Sequence, residues 1–186
     1  MKTCSIEGNA PSGPGAEEES APAARKRLRV LLPLGEGGHS VEMLRLVALL
    51  GDRYEYHYMI VREDAWSEKK LPIPGTIHRC RRPHLKEKHQ WKALFGYARL
   101  TLQSLAILLR ARPHALVHAG PAMTIPVSIL CRFLRIPIIF IETGSRIHTA
   151  SKTGQFMYGR ADLFIVQWPE LQKEKFPDAV YAGLLL

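Results

Sequence analysis

The apolar run Leu28-Arg29-Val30-Leu31-Leu32-Pro33-Leu34 stops at Gly35-Glu36-Gly37-Gly38, and His39-Ser40 then open a stretch that reaches about Leu50 and ends at Gly51. This order reads as a buried strand, a tight glycine turn and a helix with a glycine stop. A strand followed at once by a helix points to parallel pairing, because the helix carries the chain back before the next strand joins. The pattern continues along the chain. Tyr54 to Val61 and Thr76 to Cys80 read as strands, and a long helix covers roughly Trp91 to Arg112, ended by Pro113. Strand, helix and strand recur as Ala115–Ala119, Met123–Leu134 and Pro137–Glu142. A strand Asp162–Gln167, a short helix from Pro169 and a last strand near Val180–Ala182 follow. Residues 62–75 and the segment holding Gly144 and Gly154 read as polar loops. The expected fold is α/β, a Rossmann-like doubly wound parallel sheet covered on both faces. Ligands of such sheets bind beyond the carboxyl ends of the strands, at the switch point.

The 186 residues suit a single domain of this kind. Residues 1–24 are dominated by Gly, Pro, Ser and Ala with a Glu17-Glu18-Glu19 run, and are predicted to be a disordered tail. Residues 25–186 are then the domain. Cys4, Cys80 and Cys131 lie far apart, which fits neither a disulfide framework nor a zinc site and points to reduced thiols. No signal-peptide layout and no run of about 18 apolar residues is present, so no transmembrane helix is expected.

Three strand ends carry chemistry. At the first, Gly35, Gly37 and Gly38 let an anion approach the backbone, and the helix beginning near Ser40 offers free N–H groups and a positive dipole end. Phosphate or pyrophosphate is the natural guest; the bland alternative is a tight turn with Ser40 or His39 capping the helix. The dinucleotide fingerprint fails because its third glycine would be Ser40, and a P-loop fails for want of Gly-Lys-Ser/Thr. His39 has a side chain able to accept a hydroxyl proton near neutral pH. At the second end, Gly120 permits close backbone approach and Pro121 suits a first helical turn. At the third, Glu142-Thr143-Gly144-Ser145-Arg146 sets a carboxylate directly after an apolar strand. Glu142 is placed to hold sugar hydroxyls, orient His39 or act as a base, or else to pair with Arg146 or cap the next turn. No paired-carboxylate or Asp-x-Asp motif calls for a metal, and no cofactor is expected.

The formal net charge is +9, and more than half of it lies between His78 and Lys92, where Arg79, Arg81, Arg82, Lys86, Lys88 and Lys92 face only Glu87. On the following helix Lys92, Arg99, Gln103 and Arg110 share a narrow stripe. Trp91, Phe95, Leu102, Leu105 and Leu109 flank it on one side, Leu100 and Ile107 on the other. Two apolar flanks beside a basic stripe suit one face in the core and another at lipid headgroups. A buried helix with a few solvated charges is the alternative. Nucleic acid is disfavoured, because no basic and aromatic strand pattern of the RNA-binding type is present.

The stretches LGEGGHSVEMLRL, HAGPAMTIP, FIETGSRI and ADLFIVQWPELQKEKFPDAVYAG, in this order, resemble the asparagine-linked-glycosylation-fourteen family and its bacterial relatives in capsule and exopolysaccharide synthesis. More distantly they are similar to the N-terminal half of the bacterial lipid II-forming transferase of the MurG type. The resemblance spans residues 28–183 and implies the acceptor half of a two-domain (GT-B) glycosyltransferase. It implies a heterodimer in which this chain holds a polyprenyl- or dolichyl-pyrophosphate-linked acceptor at the cytoplasmic face of a membrane, as a peripheral protein. A partner subunit supplies the donor site for a UDP-sugar, with UDP-N-acetylglucosamine the leading choice. His39 matches the family's Gly-Gly-His histidine and Glu142 its strand-end glutamate, which implies a catalytic role for both. A non-catalytic scaffold or enhancer of the partner is the alternative. Eukaryotic members begin with a membrane anchor, whereas this sequence begins with a polar tail, which points toward a bacterial-type member.

Overall fold

A computed structural model of the chain describes residues 27–35, 37–82, 90–121 and 123–185. Its strands are β1 (Arg29–Leu34), β2 (Glu55–Val61), β3 (Thr76–Cys80), β4 (Ala115–His118), β5 (Ile138–Ile141), β6 (Leu163–Val166) and β7 (Val180–Tyr181). Its α-helices are α1 (Gly38–Leu50), α2 (Ala65–Lys69), α3 (Gln90–Ala111), α4 (Thr124–Phe133), α5 (Lys152–Met157) and α6 (Pro169–Lys175). The strands form one sheet in the order β3-β2-β1-β4-β5-β6-β7, every described pair parallel. The order reverses between β1 and β4, which puts the switch point beside the glycine turn.

Side chains alternate across the sheet as a two-residue period requires. Leu31, Met59, Leu116, Ile138 and Phe140 pack on one face against Leu100, Ile107 and Leu108 of α3, Val127 and Cys131 of α4 and Leu171 of α6. Phe140, Phe164 and Phe176 continue this core as an aromatic row with ring centroids 4.7–4.8 Å apart. On the opposite face Leu32, Leu34, Tyr56, Tyr58 and Ile60 meet Met43, Leu44 and Val47 of α1. Burying each such side chain contributes about 1.5–3 kcal/mol before entropy is charged against it. The thiols of Cys80 and Cys131 are inside this core, and burial pushes both up to about 12, so neither is a ready nucleophile.

The structure differs from the sequence expectation at three places. Residues 62–75 are more than a loop, because the Asp64 carboxylate accepts Ser67 N–H at 2.9 Å and starts α2. The polar segment with Gly154 holds α5, started by the Ser151 hydroxyl, which accepts Gly154 N–H at 2.8 Å. The described residues also do not fully cover the sheet on both faces. Beyond α1 an apolar groove of about 380 Å³ lies open over β4, β5 and β6, lined by Val117, Ile139, Ile141, Leu163, Ile165 and, from α1, Leu46.

The predicted tail lies outside the described residues. On α3, Leu100, Ile107 and Leu108 are buried, while Phe95, Leu102 and Leu109 on the other flank of the stripe are 72%, 68% and 61% exposed. Arg99 and Arg110 are exposed as well. Lys86 and Lys88 lie outside the described residues, as do the side chains of Trp91 and Lys92. Arg79 is tied to Glu68 by an ion pair at 2.6 Å, and the backbone N–H of Arg81 donates to Gln103 Oε1 at 3.0 Å. Among the described residues no helix is long and apolar enough to cross a membrane.

Candidate functional site

A cleft of about 400 Å³ opens where α1 begins, at the carboxyl ends of β1 and β5. Gly38, His39, Val41 and Glu42 line it from α1, and Thr143, Ser145, Arg146 and Ser151 line it from the β5–α5 connection. Gly37 holds the turn with φ 84°, a left-handed value that glycine alone adopts without strain. Gly38 needs no such φ, and a Cβ added there would meet nothing within 4 Å. Among the described residues no side chain caps the start of α1, and its first turn holds no acid. Neither Ser40 nor His39 closes it, contrary to the bland reading of the motif. The positive end of a 13-residue helix therefore borders the cleft, with the exposed Arg146 guanidinium on the opposite wall.

The glycine and proline positions divide by role. Gly37 and Gly38 are exposed at the helix start, whereas Gly35, Gly120 and Pro121 lie beneath it and do not line the cleft. A Cβ on Gly35 would stand 2.6 Å from Pro121 Cβ, and Gly120, with φ 87°, packs its α-carbon against the Phe140 ring. These residues bring two loops together. Gly144 is buried, giving its N–H to Glu42 Oε1 at 2.8 Å and accepting Trp168 Nε1–H on its carbonyl at 2.7 Å.

Among the described residues two carboxylates stand close to the cleft, and they differ. Glu142 is buried and is not a lining residue. Its Oε2 accepts the Ser151 hydroxyl at 3.0 Å and its Oε1 accepts Thr143 N–H at 3.3 Å, so it backs the start of α5. Burial raises its pKa above the ordinary carboxylate value, while the hydrogen bonds from Ser151 and Thr143 and the charge of Arg146 pull the other way. A Cβ added at Gly154 would run into this same Oε2. Gly154→Ala is therefore expected to cost about 1–3 kcal/mol, read as a lowered thermal midpoint, and an unchanged midpoint would mean the carboxylate is free to move. Glu42, in contrast, lines the cleft.

Buried polar atoms without a hydrogen-bond partner gather here. Among the described residues they include His39 Nδ1, Ser40 Oγ, Glu42 Oε2 and His118 Nδ1. His118, at the end of β4, is fully buried, and burial first and nearby His39 second hold its pKa down to about 3. Its Nε2 lies 3.1 Å from Ser128 Oγ, and that hydroxyl donates to the Thr124 carbonyl at 2.9 Å. The hydroxyl proton is thus spent on Thr124, so His118 carries its proton on Nε2 and leaves Nδ1 bare. Sequence reasoning did not single out Glu42 or His118. The signal for Glu42 was its place three residues after His39, one helical turn along the same face. Among the described residues no group of three or more His, Cys, Asp or Glu is placed to hold a metal ion.

The family profile described as oligosaccharide biosynthesis protein Alg14 like matches residues 30–185. The chain belongs to the Alg14 family. The mouse UDP-N-acetylglucosamine transferase subunit ALG14 is 31% identical over 185 residues, covering 87% of this chain and 85% of its own length. The Saccharomyces cerevisiae subunit of the same name is 26% identical, covering 88% and 79%. Among solved structures, Acinetobacter baumannii MurG superposes with a TM-score of 0.66 at 16% identity, over 84% of this chain and 45% of MurG. A Rickettsia bellii UDP-N-acetylglucosamine 2-epimerase gives 0.64 at 11% identity, over 86% and 46%. The chain thus spans less than half the length of these structures, and at such identities the likeness is one of fold. That an epimerase shares it illustrates that the fold alone does not select the reaction. In this Alg14-family chain the whole matched region contains the sheet, the cleft and both loop walls.

Proposed function

We propose that this chain is the acceptor-binding subunit of a two-chain glycosyltransferase, which moves N-acetylglucosamine from its UDP ester to a lipid-pyrophosphate-linked sugar at a membrane surface. The observation that carries this reading is the cleft itself, where an uncapped helix start, a histidine and an arginine converge on the switch point. The names of the mouse and yeast relatives, transferase subunits for UDP-N-acetylglucosamine, support the choice of sugar and the need for a partner. The open apolar groove over β4, β5 and β6 gives such a partner a surface to pack on. The exposed flank of α3 and its basic stripe support a lipid surface.

In this reading the acceptor's pyrophosphate lies against Gly37, Gly38 and the first N–H groups of α1, with Arg146 adding its charge from the other wall. The acceptor hydroxyl faces His39, whose ring takes the proton as the oxygen attacks the anomeric carbon of the donor sugar. The anomeric carbon's bond to the UDP oxygen breaks, its electron pair leaves with UDP, and the configuration inverts. The partner holds UDP.

Reconstitution tests the proposal. Together with a donor-binding partner, the chain is expected to transfer sugar from UDP-N-acetylglucosamine to N-acetylglucosaminyl diphosphate on a short isoprenoid. Alone it is expected to leave UDP-sugars intact and to bind UDP weakly. Robust turnover of a UDP-sugar by the isolated chain would overturn the two-chain reading.

A further inference from the structure

Among the described residues lining the cleft, Glu42 is the one acid. It is only 2% exposed, and its two oxygens have unequal surroundings. Oε1 accepts the Thr143 hydroxyl at 2.9 Å and the Gly144 N–H at 2.8 Å, which latches α1 to the β5–α5 connection. Oε2 is buried and accepts nothing from the described residues. A latch needs one oxygen, and an amide would supply it. A second carboxylate oxygen left bare costs the folded chain free energy unless a donor meets it.

We propose that Glu42 is the specificity-determining residue of the cleft, its Oε2 accepting a hydrogen bond from a hydroxyl of the acceptor sugar. This deepens the acceptor-binding reading above and rests on it. The alternative guest for that spot, the pyrophosphate, is excluded by chemistry: its oxygens are acceptors and carry negative charge, as Oε2 does. The cleft is therefore divided. The helix start and Arg146 take the anion, and the Glu42 side takes a neutral donor. Sites that hold a substrate hydroxyl on a buried polar group discriminate strongly against analogues lacking it.

Glu42→Gln isolates the claim, because glutamine keeps an oxygen for Thr143 and Gly144 and puts an amide that cannot accept where Oε2 was. The probes are N-acetylglucosaminyl diphosphate on a short isoprenoid and its mono-deoxy analogues, with affinities for the assembled complex measured by competition. The wild-type complex is expected to bind one deoxy analogue about 10–100-fold more weakly than the parent. Glu42→Gln is expected to lose a similar factor toward the parent and to stop distinguishing that analogue from it, with a thermal midpoint near wild type. A wild-type complex that binds every deoxy analogue as well as the parent overturns the proposal, whatever the variant does. Unchanged discrimination by Glu42→Gln also overturns it and leaves a structural latch. A wild-type complex that transfers no sugar to the parent fails at the level of the functional reading, and both fall together.

Discussion

Alanine in place of His39 is expected to lower turnover of the assembled transferase by roughly 10²–10⁴-fold while leaving the fold and partner binding intact. The side chain is half-buried on the second residue of α1 and lines the cleft, so its removal opens space without unpacking the core. Its Nδ1 is the buried nitrogen, which leaves Nε2 to meet the acceptor hydroxyl. Glutamine at this position separates two roles, since it preserves hydrogen bonding and takes no proton at neutral pH. Equal losses for His39→Ala and His39→Gln assign proton transfer to the ring. Near-normal turnover by His39→Gln reduces His39 to a ligand. Near-normal turnover by His39→Ala leaves the scaffold alternative. In the ligand case Glu42 precedes Glu142 as the next base to test, because Glu142 does not line the cleft and already holds Ser151 and Thr143.

Much of the fold was legible because strands and long helices advertise themselves by period. Leu31 and Leu32 point to opposite faces, both are buried, and only a strand covered on both faces reads that way. The same logic misled at Ile139 and Ile165, which are only partly buried. Their apolar character states that something covers them, not that the described residues supply it. The helices α2 and α5 were missed because five or six residues are too few to show a period, and only their caps, Asp64 and Ser151, betray them.

At the site, glycine spacing announced close approach without naming what approaches. Gly38 lines the cleft and Gly37 makes the turn just before it, whereas Gly35 meets Pro121 and Gly120 meets Phe140. Glu42 and Thr143 are 101 residues apart in sequence, and no local pattern states that they touch. The carboxylate beside a strand end was the visible candidate, and the one a helical turn after His39 is the one that reaches the cleft.

His118 is expected to make the protein lose stability on acidification. Buried and neutral, with its pKa held down to about 3, it refuses a proton that the unfolded chain accepts near pH 6.5. Between those values the unfolded state binds more protons than the native state, so stability falls as pH falls through the window. The contribution between pH 7 and pH 4 is on the order of 3 kcal/mol. Glu142 acts with the opposite sign, since its raised pKa lets the native state take a proton earlier than the unfolded chain does. The His118 share is therefore read as a difference. His118→Gln keeps an N–H for Ser128 Oγ and does not titrate. Denaturant unfolding at several pH values is expected to show the wild type losing about 3 kcal/mol more than this variant from pH 7 to pH 4. Parallel losses would mean that His118 is solvated in the native state. Should the glutamine variant fold poorly, the wild-type ring answers directly by nuclear magnetic resonance. A neutral Nε2–H tautomer persisting below pH 5 sustains the assignment. An imidazolium already formed at pH 6 refutes it.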